Sequence, residues 1–564
     1  MNYMERYAAW CNAGLPEDVQ KELNTIAFDE EELKGRFGCD LQFGTAGMRG
    51  IMGAGSNRLN RYTVRRAAQG MAAWLSGTDL PKKAAIGYDS RHNSQLFAEV
   101  CAVAFAEAGI ETHLFDRLAP TPMLSFAVRQ LGCGCGIVIS ASHNAGAYNG
   151  VKCYGPDGCQ MTDAPAAIVT ATIEKIPYFI PESKSFAQFM DDGLIHYIGQ
   201  DIWEKYYDTV LAEAVAPDMV KKASLNIVYT PLCGTGNEPV RNVLGRLNVN
   251  ISVVACQEKP DGDFKTCEYP NPETDAALNE SYKVADKVAC DVILGTDPDA
   301  DRVAIAVPYA GGYRKLSGNE LGCLLLDYIL KARTAKGDIP ENAIAVRSIV
   351  SSPLADRIAE HYGVTMKSVL TGFKYIGGEI LALEQDHQEH KFIFGFEESC
   401  GYLKGTYARD KDAIVASMLV CELAASLKLQ GKTILDALDE LYATYGIYLA
   451  HVQSIELTGS DAMEKAAKMM ADLRSKIPET IGGAKVTAVR DYKTSTEKDL
   501  VTGAEEPILL PKSNVLEFLL GENGSVIARP SGTEPKVKFY YTAVAPTEQE
   551  ANGLLDAMKA QMSI

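Results

Sequence analysis

Residues 137–158 read IVISASHNAGAYNGVKCYGPDG. An apolar run stops on a serine and a histidine, Ser142 and His143, and gives way to a loop too rich in glycine and asparagine to be helical. Taken alone it is a strand followed by a turn, because serine, asparagine and glycine are ordinary turn residues. Its surroundings decide the class. The apolar runs KKAAIGYD (82–89), ETHLFD (111–116), CGIVIS (135–140), LNIVYTP (225–231), NISVVAC (250–256), CDVILGTD (290–297), KFIFGFEE (391–398) and SVIARPS (525–531) all end in polar or glycine-containing loops, as strands do. Helical patterns such as RYTVRRAAQGMAAWL (61–75) and QLFAEVCAVAFAEAG (95–109) lie between them. The alternation predicts α/β layers with functional loops at the carboxyl ends of the strands.

A chain of 564 residues exceeds what one hydrophobic core can hold, so several domains are expected. Breaks fall near the helix GQDIWEKYYDTVLAEAV (199–215), after DPDADRVAIAVPYAGGYRKL (297–316), and after the helix TILDALDELYATYG (433–446), where a strand-rich segment begins. They divide the chain into 1–205, 206–312, 313–446 and 447–564, with three of the four units of one α/β kind.

Composition excludes several classes. With 47% hydrophobic and 23% charged residues the chain is globular. A formal charge of −18 argues against a nucleic-acid partner, which would require a basic face, so any anionic substrate must sit in a local basic pocket. The first residues, MNYMERYAAWCNAGLPEDVQKEL, lack the basic start and apolar core of a signal peptide. No run of eighteen apolar residues follows, and a cytoplasmic protein with no membrane partner is expected. The 14 cysteines are scattered, often in apolar strings such as ASMLVCELAASL; Cys133 and Cys135 form no metal pair because no second pair follows.

Three stretches carry chemistry. In GTDPDADRVAIAV (295–307), Asp297, Asp299 and Asp301 crowd three carboxylates together, an arrangement that a hard divalent cation resolves. An EF-hand would need Gly and Glu where Arg302 and Pro308 stand. A phosphatase of the haloacid dehalogenase kind would need Thr or Val where Asp301 stands. Three aspartates leave coordination positions for a phosphate oxygen, which suits Mg²⁺. The stretch ARPSGTEPKVKFYYT (528–542) has the composition of an anion cradle: Arg529 and Lys536 for charge, Ser531 and Thr533 for hydroxyls, Gly532 for close backbone approach. In GFEESCGYLKGTYARDKDAIVA (395–416), Glu397 and Ser399 can pair with adjacent sugar hydroxyls, though the same residues also begin helices. The glycines around Arg49 in GTAGMRG and Lys374 in TGFKYIGG read either as turns or as cations presented to an anion.

The set resembles the phosphohexomutase family, in order and over nearly the whole chain. The resemblance rests on SASHNAGAYNGVK, DPDADR, GFEESCG and RPSGTEPK, with GTAGMRG, GYDSRHNS, PNPE and TGFKYIG in support. Length and the FGTAGMRG opening are most similar to the bacterial phosphoglucomutase branch, related to phosphopentomutase and glucose 1,6-bisphosphate synthase. It implies four domains around a central cleft, three mixed α/β and the last α+β. It implies Ser142 as a phosphoserine whose phosphate completes a Mg²⁺ shell with Asp297, Asp299 and Asp301. Arg302, Lys374, Glu397, Ser399, Arg529, Ser531, Gly532, Thr533 and Lys536 would bind the sugar phosphate, and Arg49 would complete a cationic cleft. The reaction implied is reversible conversion of glucose 1-phosphate to glucose 6-phosphate through glucose 1,6-bisphosphate; a monomer, or a weak dimer, is expected. Mannose or pentose phosphates would use the same machinery; a Mg²⁺-dependent sugar phosphatase or a non-catalytic sugar-phosphate sensor is the alternative of another class. The chain departs from the family at Ala145, where proline is usual, and at Ser399-Cys400-Gly401-Tyr402, which lacks a histidine. Lys411 in ARDKDA matches a lysine of suspected acid/base role; His143 and Lys152 are the other candidates. A lysine in a cationic cleft would have a depressed pKa.

Overall fold

The computed structural model describes residues 2–44, 46–458, 462–531 and 536–562. Gly532 and Thr533 lie outside the described residues. Two compact units result. The first takes the chain up to Gly318 together with Ile376–Gly395 and Ser399–Gly431; the second takes Asn319–Tyr375, Phe396–Glu398 and the chain from Lys432 onward.

The first unit holds two sheets of related design. The six strands of one are β1 (Gly47–Ile51), β2 (Lys83–Tyr88), β3 (Glu111–Phe115), β4 (Cys135–Ile139), β5 (Tyr148–Tyr154) and β6 (Ile195–Ile198), in spatial order β1-β5-β4-β2-β3-β6. Strands β4, β2, β3 and β6 run parallel, and β5 and then β1 add antiparallel. The other sheet has β7 (Asn226–Thr230), β8 (Asn250–Val253), β9 (Val292–Thr296), β10 (Val303–Tyr309) and β11 (Gly312–Lys315), in order β11-β10-β9-β7-β8. Here β9, β7 and β8 are parallel, while β10 pairs antiparallel with β9 and β11 antiparallel with β10. In both sheets one parallel strand ends in a loop that reverses into an antiparallel neighbour. The Ser142 loop joins β4 to β5, and the Asp297 loop joins β9 to β10.

Parallel strands covered by helices on both faces must be apolar throughout, and β4, CGIVI, is buried at every position. The helices Arg61–Ser76 and Ser94–Glu107 pack on this sheet through Val64, Ala68, Phe97 and Cys101. The helix Ala413–Leu429 is largely apolar round its circumference because every residue from Ala413 to Ala425 is buried. Its N-cap Asp412 accepts N–H bonds from Ile414 (2.7 Å) and Val415 (3.1 Å) and O–H bonds from Tyr206 (2.8 Å) and Tyr407 (2.5 Å). Within that helix Glu422 is fully buried and accepts the backbone N–H groups of Val215 (2.9 Å) and Ala216 (2.8 Å). Truncation in Glu422→Ala orphans both donors, so chemical denaturation should show a loss of about 2–4 kcal/mol.

The second unit contains the strands β12 (Ile344–Ser348) and β13 (Thr365–Val369), which pair in parallel. The strands β14 (Phe392–Glu397) and β15 (Gly401–Leu403) follow in the chain. Its larger sheet is antiparallel throughout: β16 (Ile447–Glu456), β19 (Ala488–Asp491), β20 (Thr496–Asp499), β21 (Glu505–Pro507), β22 (Leu516–Leu519), β23 (Gly524–Pro530) and β24 (Lys536–Ala545), in order β16-β24-β23-β22-β19-β20-β21. The short pair β17 (Thr480–Ile481) and β18 (Ala484–Lys485) stands apart. The helices Ala462–Ser475 and Glu548–Met562 cover one face through Met470, Leu473, Leu555 and Met558. Among the described residues no single helix is long and apolar enough to cross a membrane.

Candidate active site

Strand β4 ends at Ile139, and three residues on Ser142 occupies a turn with φ of +52°, a left-handed conformation that costs a residue with a Cβ about 1–2 kcal/mol. The residue is buried. Its N–H donates to Ser140 Oγ at 2.8 Å, its carbonyl accepts from Arg91 Nη2 at 2.6 Å, and its hydroxyl donates to Asp297 Oδ2 at 2.7 Å. His143 Nδ1 lies 3.2 Å from the same hydroxyl.

Asp297 begins the loop after β9, which turns at Ala300 with φ of +50°. Its other oxygen accepts the N–H groups of Asp301 (3.1 Å) and Arg302 (3.0 Å), which closes the loop on itself. Asp299 accepts both Thr121 Oγ1 at 2.9 Å and Lys152 Nζ at 2.5 Å through Oδ2. One oxygen from each of the three carboxylates lies within 4.8 Å of the others, and all three residues are buried. Among the described residues Asp299 Oδ1 and Asp301 Oδ1 have no hydrogen-bond partner, Asp301 Oδ1 having only the Arg302 guanidinium 3.7 Å away. Buried anionic oxygens left unpartnered are costly, and a hard divalent cation with oxygen ligands satisfies them. The residues present therefore fit the Mg²⁺ that the sequence implied.

Lys152 lies on β5 and reaches Asp299 and, at 3.2 Å, Asp301. Lys411 Nζ lies 3.2 Å from Asp301 Oδ2 and 2.9 Å from Asp410 Oδ1. The surroundings of Lys152 are thus acidic, and the expected depression of its pKa is reversed. Burial pulls the ammonium down, but Asp299 and Asp301 outweigh it and hold Lys152 above the usual lysine value. His143 goes the other way: burial, then Arg302 and Arg49, push its ring well below the usual histidine value. Asp297 is raised by burial and by the charges of Asp299 and Asp301.

Arg49 donates to Asn144 Oδ1 at 2.8 Å, which brings GTAGMRG to the serine loop. Gly47 there has φ of +132°, and a Cβ on it would stand 1.8 Å from the Val151 carbonyl oxygen. That glycine is a requirement of the β1–β5 pairing. Arg302 Nη1 donates to Glu273 Oε1 at 2.8 Å, which joins the PNPE stretch to the aspartate loop. Ser399 also belongs to the first unit.

The second unit carries Lys374, Glu397, Arg529, Ser531 and Lys536. Glu397 accepts the N–H of Gly372 at 2.7 Å, where φ is +121°, so the TGFKYIG turn is tied to the sugar-loop candidate. Lys374 lies over the ring of Tyr375. Ser531 N–H donates to the carbonyl of Lys536 at 2.8 Å. Tyr540 is pushed up to about 12 by burial and by Glu398, with Arg529 opposing. That places the two loops of this unit within electrostatic range of each other.

Sequence reasoning assigned no role to Thr121, Asp410, Asp89 or Arg91. Asp410 accepts from Tyr154 Oη (2.8 Å), Gln160 Nε2 (3.1 Å) and Lys411. The only signal for Arg91 was its place in GYDSRHNS.

Four phosphoglucomutase/phosphomannomutase domain profiles match in consecutive order: alpha/beta/alpha domain I over residues 40–178, domain II over 204–311, domain III over 317–445, and the C-terminal domain over 473–561. A phosphoglucomutase of Staphylococcus epidermidis is 37% identical over 528 residues, 93% of this chain and 94% of that one. A phosphoglucomutase of Staphylococcus aureus strain USA300 is 37% identical over 536 residues, 94% of each chain. Among solved structures, the parafusin phosphoglucomutase of Paramecium, in an open form, matches with a TM-score of 0.67 at 17% identity, over 93% of this chain and 94% of that one. A phosphoglucomutase/phosphomannomutase family protein of Burkholderia thailandensis matches at 0.64 and 16%, over 92% and 97%. With four domains matched in series and relatives aligned along almost its full length, this chain belongs to the phosphoglucomutase/phosphomannomutase family of the alpha-D-phosphohexomutase superfamily.

Proposed function

We propose that this chain is a phosphoglucomutase that interconverts glucose 1-phosphate and glucose 6-phosphate through a phosphoserine and glucose 1,6-bisphosphate. The observation that carries the reading is the Ser142 hydroxyl at 2.7 Å from Asp297, beside two buried carboxylate oxygens that have no hydrogen-bond partner among the described residues. The choice of glucose rests on the relatives, which are named phosphoglucomutase.

In the first transfer the bond between phosphorus and Ser142 Oγ breaks, and phosphorus bonds to the free hydroxyl of the sugar monophosphate. That hydroxyl gives up its proton, and the serine oxygen regains one. The bisphosphate then turns end for end, and the second transfer returns its other phosphoryl group to Ser142 by the same exchange. His143 is within hydrogen-bond reach of Ser142 Oγ and serves its proton. Lys152 and Lys411, ion-paired to the triad, set positive charge beside the transferring group, and Lys411 remains the candidate acid/base toward the sugar. Mg²⁺ held by Asp297, Asp299, Asp301 and the serine phosphate would act as a Lewis acid that draws charge off the phosphoryl group. Glu397 and Ser399 grip sugar hydroxyls, with Lys374, Arg302 and Arg49 as cationic partners. Arg529, Ser531, Gly532, Thr533 and Lys536 hold the phosphate that does not react.

A haloacid-dehalogenase-type phosphatase would need Asp297 free to attack phosphorus. Both Asp297 oxygens are instead engaged, one by backbone N–H groups and one by Ser142. All 14 cysteines are free thiols, which supports a cytoplasmic location. Coupled assays with glucose, mannose and ribose 1-phosphates, in Mg²⁺ with glucose 1,6-bisphosphate as primer, test the substrate. The glucose ester should turn over at least about tenfold faster in kcat/KM than the others, a discrimination of about 1.4 kcal/mol. Faster turnover of mannose or ribose phosphate would reassign it.

A further inference from the structure

We propose that Arg91 is the positioning residue of the phosphoryl-transfer centre, holding Ser142 in its left-handed turn by clamping the carbonyls of the loop that follows it. The inference rests on Ser142 being the phosphorylated residue.

The clamp arises from sheet register. Strands β2 and β4 run parallel with Tyr88 opposite Ile139, so Arg91 and Ser142 each stand three residues past one register pair. The two turns therefore emerge side by side at the carboxyl edge of the sheet. Arg91 Nη1 donates to the carbonyls of Ala145 (2.8 Å) and Tyr148 (3.0 Å), and Nη2 to those of Ser142 (2.6 Å) and Asn144. One side chain thus pins four carbonyls of a seven-residue loop, a task suited to the planar fork of a guanidinium. Its side chain is fully buried, with Asp89 as the counter-charge at 3.3 Å. Asp89 is itself fixed, accepting Arg91 N–H at 3.0 Å and Ser94 Oγ at 2.7 Å.

Two further observations give the clamp a purpose beyond stability. The loop has Ala145 at the place where the resembling motif has proline, so nothing in its covalent backbone stiffens it; the Ala145 carbonyl is one of the four that Arg91 holds. Arg91 Cζ also lies 5.0 Å from the ring centre of Phe264, which sits in the segment between β8 and β9. The same guanidinium therefore links the serine loop to the part of the chain that leads to Asp297. With its N–H bonded to Ser140 and its carbonyl to Arg91, Ser142 has both flanking peptides fixed, which sets the direction of its Oγ. Arg91 hydrogen-bonds neither the Ser142 hydroxyl nor the carboxylates of Asp297, Asp299 and Asp301, so it acts through the backbone.

The test follows one transfer of labelled phosphate from phospho-Ser142 to glucose 1-phosphate in Arg91→Met, Arg91→Lys and Phe264→Leu. The transfer rate per folded, phosphorylated molecule should fall by about 10²-fold in Arg91→Met, the scale of a misplaced reacting group, with KM changed by less than about threefold. Arg91→Lys should recover part of the loss, and Phe264→Leu should lose about threefold. A rate within threefold of wild type in Arg91→Met, or a loss confined to KM, would overturn the proposal. Should Arg91→Met fail to accumulate folded, an unchanged rate in Arg91→Lys together with Phe264→Leu would overturn it equally. A wild-type protein that takes no phosphate onto Ser142 from glucose 1,6-bisphosphate would overturn the proposed function itself, and that is seen before any variant is compared.

Discussion

Ser142→Ala is expected to lower turnover by roughly 10⁴-fold or more, the scale on which loss of a covalent nucleophile is felt. The variant should still bind glucose phosphates with nearly wild-type affinity. The Ser142 hydroxyl that is lost donates to Asp297 and is approached by His143, whereas the candidate sugar and phosphate contacts lie on other loops. Removal of one hydroxyl group leaves Asp297 with its two backbone donors, so the loop should keep its shape. Calorimetric titration with glucose 6-phosphate, alongside the coupled assay, separates the outcomes. A variant that binds without turning over fits a mutase; undiminished turnover fits a phosphatase that uses the aspartates alone.

The second large effect comes from the triad, and it has opposite signs in activity and stability. Asp297→Asn should lower kcat by about 10³-fold, because it removes a metal ligand and the charge beside the nucleophile. In metal-free buffer the same change should raise the thermal midpoint. Asp297 is held above the usual carboxylate range by burial and by Asp299 and Asp301, so its charge is a liability in the absence of a cation. Asparagine keeps an oxygen for the N–H groups of Asp301 and Arg302 and gives up the repulsion. Adding Mg²⁺ should raise the midpoint of the wild type and leave that of Asp297→Asn nearly unchanged. Equal stabilisation of both by Mg²⁺ would place the metal elsewhere.

Much of this was legible in the sequence. The strand CGIVIS and the acidic run after CDVILG could be placed because a parallel strand buried on both faces is a short unbroken apolar word. The antiparallel strand β5, YNGVKCY, was read as part of a loop, because Asn149 and Gly150 break the apolar pattern. Gly150 is required there, since a Cβ would stand 2.6 Å from the Ser140 carbonyl oxygen. The grouping of Ser142 with the three aspartates came from motif order. The sequence distance of 155 residues between Ser142 and Asp297 hides it from any local reading.

What could not be read was the sign of the field around the lysines. A cationic cleft was expected, and the counter-charges of Lys152 and Lys411 come from Asp299, Asp301 and Asp410 on loops far apart in the chain. Arg91 was hidden for the same reason. A charged residue just past a strand looks like a solvated turn, and its carbonyl partners lie 51 to 57 residues away. Burial is what distinguishes the two cases, and burial belongs to the tertiary structure.

Ser142 is proposed to carry the phosphoryl group that is exchanged with the sugar. Enzyme labelled with radioactive phosphate, mapped to its residue by peptide mass, should be mixed with excess unlabelled glucose 1-phosphate for a single turnover. The account predicts label on Ser142 at the start, and its appearance in glucose 1,6-bisphosphate and glucose 6-phosphate at the rate of turnover. Label that stays on the protein, or leaves as inorganic phosphate at that rate, would contradict it.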